Sequence, residues 1–89
     1  MTQTGFSNYV YHVLAHMEDT TSRHQITLKK LTTKVLQAQE EYFDEIGDRT
    51  VEKVYTSHDV IGAIKNLTHR VLITKQKNKQ GQIILKTKQ

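Results

Sequence analysis

Apolar residues recur at helical spacing in three segments of the chain, and two short apolar runs follow near its end. The first segment covers about residues 7–17, the second 27–45 and the third 56–71. In each, apolar residues return every three or four positions, which predicts an amphipathic helix. The final runs, 72–75 and 82–86, are rich in β-branched and apolar residues. They favour the two strands of a hairpin.

Polar residues at the edges of these segments predict where the elements begin and end. Thr27 directly precedes the second helix and can cap it. Thr56 and Asp59 have the spacing of a capping box at the start of the third helix. Asn78 and Gly81 tolerate positive φ, so either can form the hairpin turn. Residues 1–5 are polar and are expected to be disordered.

The order of the elements predicts an α+β fold. A first helix, a very short strand near residues 24–26, two further helices and a C-terminal β-hairpin make up the order of a winged helix-turn-helix. The whole chain, residues 1–89, is predicted to be a single domain. In this fold 56–71 is the recognition helix and 72–88 is the wing.

Charge is distributed unevenly along the chain. Six acidic residues lie between positions 40 and 52, whereas residues 60–89 contain seven basic residues and no acidic one. A basic surface formed by the third helix and the wing would meet the phosphates and base edges of double-stranded DNA. The predicted contact residues are His58, Gly62, Lys65, Asn66, His69, Arg70, Lys75, Lys77, Lys79 and Lys86.

Other interpretations of the same pattern remain open. A lysine-rich end can simply keep a small domain in solution. A winged helix can also bind a protein partner, here through the acidic 40–52 stretch or through exposed aromatic residues, and Tyr9, Tyr11 or Phe43 could form a homodimer contact. RNA is a third possible ligand. The basic third of the chain has no aromatic residue, which favours a duplex over a single strand.

Several kinds of chemistry find no support in the sequence. The chain has no cysteine, so thiolate catalysis, disulfides and cysteine-based zinc fingers are excluded. His12 and His16 share a helical face, but without further ligands close in sequence they are better explained as surface histidines than as a metal site. No phosphate-binding loop is present. We therefore expect no enzymatic activity, no cofactor and no small-molecule substrate.

The sequence also bears on location. It contains neither an apolar run long enough to cross a bilayer nor a signal-peptide pattern. Together with the absence of cysteine, this leads us to expect an intracellular protein without a membrane partner.

Three stretches resemble the C-terminal winged-helix domains of the origin recognition complex and of archaeal origin-initiator proteins. They are 26–31 (ITLKKL), at the start of the second helix; 56–73, where the third helix continues into the wing; and 75–85 (KQKNKQGQIIL), a charged, glycine-containing wing. The resemblance implies duplex DNA binding, in replication initiation or transcriptional control, through Lys65, Asn66, His69 and the wing lysines. The acidic 40–52 stretch departs from it, and the family's ATPase module is absent.

Overall fold

The structure, a computed structural model, describes residues 3–20, 25–46 and 54–88, with side chains described for 5–20, 25–41 and 54–88. The elements in these residues are α1 (Gln3–Thr20), β1 (Ile26–Thr27), α2 (Leu28–Ile46), α3 (Ser57–His69), β2 (Ile73–Lys77) and β3 (Ile83–Thr87). This part of the chain is a small α+β domain, in which three helices accompany one antiparallel sheet.

The sheet has the strand order β1-β3-β2, so the last strand lies in the middle. β2 and β3 form a hairpin in which Ile73 pairs with Thr87 and Lys77 pairs with Ile83. β1 adds two residues on the other side of β3, with Ile26 opposite Leu85. This pairing brings the start of α2, which follows β1 directly, next to the hairpin.

A core of apolar side chains joins all three helices to one face of the sheet. Successive side chains of a strand point to opposite faces, and Leu85 and Ile73 are buried on the face that meets the helices. The buried apolar residues are Phe6, Val10, Leu14, Ile26, Leu31, Val35, Val60, Ala63, Ile64, Leu67, Ile73 and Leu85.

Helix α1 is longer than the 7–17 segment that the apolar pattern indicates. It begins at Gln3 and so includes residues 3–5 of the stretch that was expected to be disordered. Buried Phe6 fixes its first turns against the core. At its other end, the Glu18 carboxylate accepts hydrogen bonds from the backbone N–H of Thr87 (3.1 Å) and from its hydroxyl group. These contacts keep Glu18 in the helix and attach α1 to the end of β3.

The start of α2 agrees with the sequence prediction. The Thr27 hydroxyl accepts a hydrogen bond from the backbone N–H of Lys30 at 3.1 Å, which satisfies one of the free donors of the first turn. Thr27 also pairs with Ile84 in the sheet. The short strand therefore lies at 26–27 and not at 24–26, and it leads into the helix without a loop.

A side-chain amide connects α2 to the segment before α3. The Gln39 amide accepts a hydrogen bond from the Tyr55 backbone N–H (2.7 Å) and donates one to its carbonyl oxygen (2.9 Å). The Tyr55 ring stacks on Phe6 of α1, with ring centroids 3.9 Å apart and planes within 1° of parallel. Together these contacts fix the chain where it enters α3.

Helix α3 begins as predicted and ends earlier. At its start, the backbone N–H of Thr56 donates to the Asp59 carboxylate at 2.8 Å, as in a capping box. At its end, Leu72 N–H donates to the Leu67 carbonyl and Val71 N–H to the Thr68 carbonyl, both at 3.0 Å. This is the Schellman arrangement, with Val71 in its left-handed position.

The conformation of Val71 shows that the third helix is shorter than predicted. The φ of Val71 is +59° and the residue is 57% exposed, whereas the apolar spacing predicts a helix over 56–71 that would include it. The apolar spacing does continue to Val71, but the left-handed turn rotates its side chain off the buried face. The helix therefore stops at His69.

Both residues proposed for the hairpin turn contribute to it. The Asn78 side-chain oxygen accepts from the backbone N–H groups of Gln80 and Gln82, each at 2.9 Å. Gly81 adopts a φ of +81°, and its N–H donates to the Asn78 carbonyl at 3.1 Å. The loop at the tip of the hairpin is thus held by its own hydrogen bonds.

Several predictions concern residues outside this description. They include residues 1–2, His24, the side chain of Phe43 and most of the acidic 40–52 stretch. Among the helices that the structure describes, none combines the length and the apolar character needed to cross a bilayer.

Candidate nucleic-acid interface

One stripe of α3 carries four of the predicted contact residues: His58, Gly62, Lys65 and His69. They are spaced four, three and four positions apart, so they lie on one face. Three of the four are exposed, and Gly62 is half-buried. A Cβ atom added at Gly62 would meet no atom of the protein within 4 Å. The stripe is therefore open to a ligand along its length.

The other two residues predicted on α3 lie to one side of this stripe. The Arg70 guanidinium donates to the side-chain oxygen of Asn8 in α1 at 3.2 Å and contacts that of Asn66 at 3.5 Å. Arg70 is exposed, so its charge can still act on a ligand. It is, however, directed towards α1.

The hairpin lysines do not all lie on one surface. Lys75 and Lys77 are exposed on β2, and Lys79 is exposed in the loop. Lys86 follows buried Leu85 in β3, and adjacent residues of a strand point to opposite faces. Lys86 therefore projects from the face of the sheet opposite the core, apart from the other predicted contacts.

The structure adds a groove that the sequence analysis did not anticipate. It has a volume of about 1110 Å³ and lies between the N-terminal half of α2 and the hairpin loop. Lys29, Lys30 and Lys34 contribute from α2, while Lys77 and Lys79 contribute from the hairpin. None of the described residues that line it is acidic. Thr27, Thr33, Gln37 and Gln82 add hydrogen-bonding side chains.

A smaller groove of about 430 Å³ continues from this one towards α3. The two share Thr27, Lys29, Thr33 and Gln82. On its far side the smaller groove reaches Ile61, which is 39% exposed on α3, one helical turn before Lys65. A continuous concave surface therefore extends from the hairpin loop, past the start of α2, to the edge of the α3 stripe.

The three α2 lysines are not among the predicted contacts, because the charge asymmetry was drawn between the acidic 40–52 stretch and the basic residues 60–89. The acidic residues of α2 begin only at Glu40, and residues 28–39 contain three lysines and no acid. Lys29, Lys30 and Lys34, together with Thr33 and Gln37, fall on one side of a helix of 3.6 residues per turn. The charge of residues 28–39, taken apart from that of the acidic second half of the helix, indicates this basic face.

The charges of α2 are arranged against the helix dipole. Acidic residues are favoured at a helix N-terminus and basic residues at its C-terminus, by about 0.3–1 kcal/mol each. The first turn of α2 has no acidic residue and its last turn no basic one. Lys29 and Lys30 instead lie near its start, and Glu40 and Glu41 lie towards its end. Helix stability alone does not explain lysines at these positions.

Among the described residues, no observation specifically supports metal binding or a dimer contact. Across the part of the chain that the structure describes, no three histidine or acidic side chains are grouped closely enough to hold a metal ion. His12 and His16 are exposed on α1. Tyr9 and Tyr11 are half-buried and pack against the core, which accounts for their apolar surface.

The distinctive features of the surface are thus the open stripe of α3 and the lysine-lined groove beside it. Comparisons of the chain with protein-family models, with curated proteins and with solved structures found no match.

Proposed function

We propose that this chain is a winged helix-turn-helix domain that binds double-stranded DNA. The helix, strand, helix, helix, hairpin order supports the fold, as does the position of β3 between β1 and β2. In such a domain α3 is the recognition helix and the β2–β3 hairpin is the wing. We expect such a domain to act in replication initiation or transcriptional control.

The observation that carries the proposal is the continuous concave surface with five lysines and no described acidic lining residue. Duplex DNA carries one negative charge per about 1.7 Å of its axis, and lysines that neutralise phosphates release bound counterions. The major groove of DNA accommodates an α-helix, so α3 can enter it with its exposed stripe facing the bases. Lys65 and the two histidines of this stripe can then approach base edges.

The surface also favours a duplex over a single strand. Single strands are commonly held by aromatic platforms on which bases stack. The described residues lining the two grooves include no aromatic residue.

The experiment is a titration of a fluorescently labelled random-sequence duplex, followed by anisotropy at about 50 and 200 mM salt, concentrations between which phosphate-dominated binding weakens steeply. We expect micromolar or tighter affinity that falls with salt. The triple variant Lys65→Glu, Lys77→Glu, Lys79→Glu should bind too weakly to measure. The reversal Glu41→Lys, on an exposed residue outside both grooves, should not weaken binding.

Two results would overturn the proposal. Absence of duplex binding at low salt would exclude DNA as the ligand. Tighter binding to an A-form RNA duplex or to a looped RNA would instead identify RNA as the ligand.

A further inference from the structure

We infer that one phosphodiester strand of the bound duplex runs in the groove between α2 and the hairpin loop, so that α2 supplies more phosphate contacts than α3. This inference rests on the proposed function and names the residues of this chain that would hold the DNA backbone. Its ligand is the backbone of a DNA strand, recognised by charge and not by base sequence.

The groove carries more cations than α3 does. The groove is lined by five lysines from two walls: Lys29, Lys30 and Lys34 from α2, and Lys77 and Lys79 from the hairpin. On the described part of α3 and its C-cap, the cations are Lys65 and Arg70, and the Arg70 guanidinium already donates to Asn8. Affinity for DNA is dominated by phosphate contacts, so the groove should contribute the larger share.

Bringing these lysines into one groove destabilises the folded domain. Like charges that share a groove repel one another, and a folded domain that holds them so loses stability through this repulsion. Lys29 and Lys30 also oppose the dipole of α2. A phosphate strand between the two walls relieves both penalties, because each ammonium group then faces an anion.

The lysine groove is continuous with the surface that reaches α3. The shared lining residues, including Thr33 and Gln82, lead from the lysine groove into the smaller groove that ends at Ile61 of α3. A strand held beside α2 would therefore leave the α3 stripe facing the adjoining groove of the same duplex. The hydroxyl of Thr33 and the amide of Gln82 can donate hydrogen bonds to phosphate oxygens along this path.

The test compares salt dependence in matched variants of the full chain. Lys29→Gln with Lys30→Gln removes two groove lysines. His12→Glu with His16→Glu lowers the net charge by the same amount at exposed positions of α1 that line neither groove. Lys65→Gln removes the α3 lysine. Each protein is titrated with the labelled duplex at several salt concentrations, and the slope of log K against log salt is measured.

The groove pair should lower the magnitude of this slope by about 1.8, since each phosphate contact contributes about 0.9. The control pair should leave the slope unchanged, and Lys65→Gln should lower it by at most about 0.9. Folding of each variant is checked by thermal unfolding; the groove pair should not be less stable than the wild type, because its lysines oppose the helix dipole.

The outcomes separate this inference from the proposed function. If the wild type binds the duplex but the groove pair keeps the wild-type slope, the inference is wrong and the proposed function stands. Equal losses in the groove and control pairs also overturn it, because the effect then reflects net charge and not position. If the wild type binds no duplex, the proposed function fails, and the inference fails with it.

Discussion

Val71 provides a quantitative test of how α3 ends. With a φ of +59°, it occupies a left-handed conformation that costs a residue with a Cβ atom about 1–2 kcal/mol. Glycine has no such penalty but loses more backbone entropy on folding, by about 0.5–1 kcal/mol. The balance favours glycine over alanine at this position by about 0.5–1 kcal/mol.

The comparison uses two variants, Val71→Ala and Val71→Gly. Both remove the 57% exposed valine side chain, so the two variants lose nearly the same side-chain contacts. Val71→Gly should be the more stable. The same pair at Lys65, exposed within α3, is the control: there glycine should be less stable than alanine by about 0.8–1.0 kcal/mol.

Urea unfolding followed by circular dichroism measures both differences. In a domain of this size, a change of about 1 kcal/mol also moves the midpoint of thermal unfolding by roughly 4–8 °C. If Val71→Gly is no more stable than Val71→Ala, residue 71 is not left-handed in solution. The description of the Schellman end of α3 would then be wrong. The angle at which the hairpin leaves the helix would be wrong with it.

Four further substitutions test particular contacts. Gly62→Ala should stabilise the fold by about 0.5–1 kcal/mol in urea unfolding, because its Cβ meets no atom within 4 Å, while weakening DNA binding if the duplex approaches α3 closely at this position. Gln39→Ala removes both hydrogen bonds to the Tyr55 backbone and should lower the free energy of unfolding by about 1–3 kcal/mol in the same assay. Asn78→Ala removes the acceptor of two loop N–H groups and should speed amide hydrogen exchange in the loop without altering exchange in α1. Lys29→Glu should raise the thermal midpoint, because a carboxylate near the start of α2 favours the helix by about 0.3–1 kcal/mol, and it should reduce affinity for duplex DNA.

Local sequence signals predict much of the fold. Thr27 and Thr56 mark helix starts because capping depends on residues a few positions away in the chain. The hairpin turn is predictable for the same reason, since Asn78 and Gly81 supply its hydrogen bonds and its positive φ. The end of α3 is not predictable in this way, because the apolar spacing continues through Val71 although the backbone has already left the helix.

Long-range contacts account for the rest. Glu18 lies in a stretch without an apolar anchor, and it is helical because Thr87, 69 positions later, donates to its carboxylate. The lysine groove requires β1 to pair with β3, which brings the start of α2 next to the hairpin loop. The charges of Lys29 and Lys30 are visible in the sequence; their position opposite Lys77 and Lys79 is a result of the sheet topology.

The most direct test of DNA binding at this surface is an NMR titration of the ¹⁵N-labelled chain with a short duplex. We predict that the amide signals that shift will cluster at the start of α2, along the His58–His69 stripe and in the hairpin loop. Signals from the exposed side of α1, around His12 and His16, should remain in place. Shifts centred on α1, or an unchanged spectrum at a saturating concentration of duplex, would contradict the proposed function.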